Sequence, residues 1–263
     1  MAAMNVSGGR DDKDPEIISV PELRRGVGLL ATLLPVLTAG GYAVLAGRGG
    51  VLGSISESYY TVTRDVFVGT LCAVAFFLYA YRGYNAFENR FFNVLCGLCL
   101  VIALFAMNPT AVPPSALGDP PDCHQAIAMD PTCSVVINTR LATYHLEWFG
   151  WVHIISAATL FASLGYASFF FFTKHEADPS ARKLNRNFIY RVCGLTIWVA
   201  LALYVLFLAV QRVAPDAPSV RALSAWPLLL LVETVCLWAF GFSWLVKAEF
   251  VPGLSDPPKK STP

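Results

Sequence analysis

Six runs of roughly 20 mostly apolar residues decide which solvent this 263-residue chain belongs in. They are Gly26 to Ala46, Val66 to Tyr81, Phe91 to Met107, Phe149 to Phe172, Val192 to Val210 and Trp226 to Val246. A helix of that length crosses the hydrocarbon of a bilayer. The second and third runs are short, and both extend over flanking Tyr and Phe residues. The chain is 56% hydrophobic and 14% charged, whereas soluble domains carry about 25% charged residues. The pattern predicts an all-α fold, a polytopic membrane bundle of six transmembrane helices. Pro35 falls inside the first run and predicts a kink, which neighbouring helices tolerate. No tandem repeat and no Gly-rich phosphate loop is present.

Lys and Arg in short loops set orientation. Arg24 and Arg25, Arg82 and Arg90, the Lys174 to Arg186 loop, and Lys247, Lys259 and Lys260 all fall on one side of six spans. The long loop holds only Arg140 against Asp119, Asp122, Asp130 and Glu147. The predicted arrangement is N-in and C-in, in a plasma (inner) membrane, with loop 108–148 on the outer or periplasmic side. Residues 1–25, polar at the start and unlike a signal peptide, are expected to be a disordered cytoplasmic tail. Residues 26–247 form the transmembrane domain and 248–263 a second cytoplasmic tail. Trp148, Trp151 and Trp226 suit an interfacial belt. Five cysteines sit in apolar runs and read as packing residues. Cys123 and Cys133 share the outer loop, where oxidising conditions favour a disulfide.

Glu233 stands alone as a carboxylate in the sixth run. A charge at that depth is costly and marks a working site by default. Its position predicts a depth of about 10 Å below the outer interface, at 1.5 Å per residue. Other polar groups expected near the same level are Glu57, Tyr59, Tyr60, Arg64, Asp65 and His153, with Ser156 one turn beyond His153. Each also has a plainer reading. Arg64 and Asp65 fit an ion pair at a helix start, where the dipole favours Asp. His153 fits a packing histidine, and the two tyrosines fit belt residues. Glu233 itself fits a structural hydrogen bond. On the inner side, the basic residues fit positive-inside anchoring, with anionic head-group contact as the alternative.

No catalytic motif stands out, so none of these residues is assigned a catalytic role; His153, Glu233 and Asp65 are the candidates. A zinc site across helices from those three has the form of a catalytic centre, but no ligand spacing supports it, and no cofactor is expected. His145 and His153 lie about 12 Å apart along a helix, too far for one ion. The net charge of +1 gives no support for a nucleic-acid partner. The expected partners are membrane lipids, with a homo-oligomer as a further possibility.

The layout, the segment Ser54-Ile-Ser-Glu-Ser-Tyr-Tyr60, the following Arg64-Asp-Val-Phe-Val-Gly-Thr70 and the early histidine of the fourth run resemble the DRAM-like class of multispanning proteins. That class includes GPI-remodelling-factor-like and autophagy-modulator-like members, and the same segments resemble bacterial multispanning proteins. The resemblance implies a lipid-associated role and no particular chemistry. Alkaline-ceramidase-like hydrolases are a more distant comparison. They have seven spans and paired histidines near the C-terminus, which this chain lacks. The expected function is a membrane protein with an outward-facing polar site for a lipid head group or small ligand. The alternatives are a membrane-embedded hydrolase or transferase, metal-dependent or not, and a proton-coupled transporter.

Overall fold

The computed structural model describes residues 19–45, 51–105, 107, 148–174 and 181–254. The expected Cys123–Cys133 disulfide, nearly all of loop 108–148 and the ends of both tails lie outside the described residues. What is described is helical, with no strand. Five helices are long and apolar enough to cross a membrane. They are α1 (Val20–Leu45), α3 (Ala86–Leu104), α4 (Trp148–Phe171), α5 (Ala181–Val213) and α7 (Leu228–Lys247). Between them lie α2 (Arg64–Ala80), of 17 residues, and the short α6 (Pro218–Ser224).

Two of these starts, and the segment before α2, share one sequence device. Ser19 accepts the Glu22 N–H at 3.4 Å, and the Glu22 carboxylate takes back the Ser19 N–H at 2.8 Å. This capping box satisfies donors that a helix start leaves open. It begins α1 at Val20, so the expected disordered tail of residues 1–25 is helical from Val20 onward. Asn85 caps α3 in the same way, accepting the Glu88 N–H at 2.9 Å. The third case, Ser54 with Glu57, belongs to the site described below. At Pro35, α1 widens into a π-helical turn over Val36–Gly40. Proline has no N–H and crowds the preceding turn. The Thr38 hydroxyl donates to the Leu34 carbonyl at 2.7 Å, which helps satisfy the loosened backbone.

The six long helices form a closed ring. Each of α1 to α5 packs on its neighbour in sequence, and α7 closes the ring between α5 and α1. Two points of contact let backbones nearly touch. A Cβ on Gly241 would lie 2.8 Å from the Gly28 carbonyl oxygen, where α7 crosses α1. A Cβ on Gly194 would lie 2.8 Å from the Gly165 carbonyl oxygen, where α5 crosses α4. Small residues serve this purpose between apolar helices, where dispersion and close approach replace a hydrophobic driving force.

The two ends of the ring differ in chemistry. One end gathers Arg24, Glu88, Lys174, Arg186 and Lys247 around fully buried Trp244. Tyr81 and Phe172 pack edge-on to that indole at centroid distances of 5.1 and 5.3 Å. Glu88 pairs with Lys174 and accepts the Tyr84 N–H at 2.9 Å. Replacing Glu88 by Ala removes both interactions and should lower stability by about 1–3 kcal/mol. Thermal unfolding in detergent measures it, and Glu88→Gln should recover part of the loss. The other end carries residues 51–63 and the candidate site.

Candidate functional site

The segment before α2 is polar in sequence yet sits inside the ring. Ser54, Ser56, Glu57, Ser58, Tyr60, Thr61 and Thr63 are all buried. Irregular backbone is tolerated in an apolar setting only where protein surrounds it and its polar groups find partners. Most of those partners can be traced, with Ser58 Oγ alone in the segment lacking one among the described residues. Pro227 precedes α7, whose first-turn N–H groups lack intrahelical acceptors. One of them, Leu230 N–H, donates to the Gly53 carbonyl at 2.9 Å. The Glu57 carboxylate accepts the Gly53 N–H at 2.6 Å, and Ser54 Oγ accepts the Glu57 N–H at 3.2 Å. A Cβ on Gly53 would lie 2.7 Å from a Glu57 carboxylate oxygen and would shift that side chain. Thr61 Oγ donates to the Ser58 carbonyl at 3.0 Å and contacts Thr63 Oγ at 2.9 Å. The Tyr60 hydroxyl donates to the Met107 carbonyl.

Glu233 lies five residues beyond the start of α7, about 8 Å along the axis. It points into the ring. Its Oε2 accepts the Ile55 N–H at 2.5 Å. Two buried carboxylates, Glu57 from within the segment and Glu233 from α7, therefore hold the same turn of backbone. His153, on α4, is buried, and its Nδ1 lies 2.7 Å from the Phe105 carbonyl oxygen. A carbonyl can only accept, so Nδ1 carries the proton.

Two spaces flank this segment. The first is an open groove of about 450 Å³, with Gly53 and Glu57 at its base and Tyr204, Gln211, Ser224 and Trp226 among its walls. The second is a small cavity of about 50 Å³, lined by Ser56, His153 and Glu233 among aliphatic and aromatic side chains from α1, α2, α3, α4 and α7.

Of the residues expected from sequence, Glu233 and His153 meet at the cavity, and Glu57 lines the groove. Tyr59 and Arg64 form a pair of their own. The guanidinium lies 4.5 Å from the ring centre and donates to the tyrosine hydroxyl at 3.1 Å. Tyr60 serves the segment's anchoring. Asp65 is exposed in the first turn of α2 and lines neither space. Among the described residues, no three His, Cys, Asp or Glu side chains group closely enough to hold a metal ion. Gly53, Tyr204 and Ser224 were not expected. The first of them was legible, because Gly53-Ser54-Ile-Ser-Glu57 contains the serine-to-glutamate spacing of a capping box.

No protein-family model, no curated protein and no solved structure matches the chain.

Proposed function

We propose that the chain is an integral membrane protein that binds a lipid head group or a similarly small polar ligand in the groove beside Glu57. The single observation that carries this reading is a buried carboxylate at the base of an open groove, with amide, hydroxyl and indole groups around it. Apolar walls with a few convergent polar groups are the usual make-up of a small-molecule site. In this reading α2 also spans. Its 17 residues cover about 25 Å, and buried residues 52–61 complete the thickness at one end. The basic end faces the cytoplasm, with both termini there, and the groove opens toward the outer leaflet. Lipid association is also what the resemblance of the sequence to DRAM-like proteins implies.

The test is mass spectrometry of lipid retained by the purified protein. The wild type should retain one head-group class out of proportion to the host membrane, and Glu57→Gln should lose that enrichment. Retained lipid that mirrors the bulk membrane in both proteins would count against the reading.

A further inference from the structure

The cavity beneath the segment poses a separate problem of unmet hydrogen bonds. His153 Nε2 is buried and has no hydrogen-bond partner among the described residues. Because Nδ1 holds the ring proton against the Phe105 carbonyl, Nε2 of the neutral ring presents a bare lone pair. A buried acceptor left in that state loses its hydration with nothing in return. The cavity that His153 lines is about 50 Å³, and one water needs roughly 10–15 Å³ together with two to four polar partners. Ser56 Oγ and the Glu233 carboxyl, on the same cavity, supply the remaining partners.

We propose that Glu233, Ser56 and His153 form a buried site for water, and that this water relays a proton between the Glu233 carboxyl and His153 Nε2. In the relay the carboxyl gives its proton to the water oxygen while the water gives one of its own to Nε2. The result is a carboxylate and an imidazolium, with the water restored and the proton count unchanged. Two features make the path one-ended. Glu57 lies close enough to Glu233 for their charges to interact and also lines the open groove, so it is the group nearest an outside proton source. On the other side of the cavity, toward the basic end, the core is mostly apolar, with Leu78, Phe92 and Phe240, and its buried Ser168 and Ser243 hydroxyls bond to each other and to the Phe240 carbonyl. Among the described residues, the other titratable groups that interact with Glu233 are Tyr204 of α5 and Cys236 of α7 itself. The relay does not depend on what the groove binds.

The experiment is nuclear magnetic resonance on the full chain, with ¹⁵N-labelled histidine, in lipid nanodiscs. The Nδ1 proton of His153 exchanges with water by way of transient protonation at Nε2, so its exchange rate reports on the relay. The rate should fall at least about tenfold in Glu233→Gln, the low end of what a positioned acid–base group contributes. An unchanged rate would overturn the relay. If that variant does not fold, Ala157→Leu fills the cavity without touching its polar groups. The rate should then fall as the water is displaced, and an unchanged rate would again overturn the proposal.

Discussion

Glu233→Ala should cost about 2–3 kcal/mol of stability, read as a lowered melting temperature in detergent. The substitution removes the acceptor of the Ile55 N–H, a buried backbone donor. It also enlarges the cavity that Glu233 lines. Both changes act in the same direction. Glu233→Gln retains a carbonyl oxygen for the Ile55 N–H and should cost less than about 1 kcal/mol. That contrast separates an anchoring role from a purely electrostatic one. If charge were what stabilised the segment, Gln would be as damaging as Ala. The loss should also be local, since α1 to α5 keep their contacts around the ring while the 52–61 segment loosens from α7.

Gly241→Val should be comparably damaging, at about 3 kcal/mol. Any Cβ at this position meets backbone, with the Gly28 oxygen at 2.8 Å and the Thr32 nitrogen at 3.1 Å. Backbone cannot move aside as a flexible side chain can. One hydrogen bond spans the crossing: the Trp238 indole of α7 donates to the Thr32 carbonyl of α1 at 3.1 Å. Separating α1 from α7 therefore breaks that bond as well. Gly97 in α3 is the control. A Cβ there meets nothing within 4 Å, so Gly97→Ala should be neutral or stabilising by up to about 1 kcal/mol. Melting temperatures of the two variants check both statements.

The apolar runs announced the long helices, because about 20 apolar residues in a row have few other uses. Helix starts were read less well. Val192 was the expected beginning of the fifth span, yet α5 starts at Ala181. Its first turns bury Lys183 and Arg186 while exposing Leu184 and Phe188, the reverse of what an apolar run signals. The starts at Ser19 and Asn85 are written in the sequence as caps, each with a glutamate three residues on. In the site, the polarity of residues 54–60 and the depth of Glu233 were both legible. What periodicity cannot express is that Glu233 meets the backbone of Ile55 rather than another side chain. That contact spans 178 positions of sequence and depends on α7 closing the ring against α1. Arg64 and Asp65 looked like members of the site because they are charged near its level. In the structure the first stacks on Tyr59 and the second is exposed.

The claim on which the site depends is that residues 52–61 are held inside the ring by the carboxylates of Glu57 and Glu233. Hydrogen exchange on the intact protein in nanodiscs tests it at the Ile55 amide. Ile55 should be strongly protected in the wild type and lose that protection in Glu233→Ala, with the helix cores of α3 and α5 unchanged in both. An Ile55 amide that exchanges as freely as an exposed loop, or one equally protected in both proteins, would contradict it.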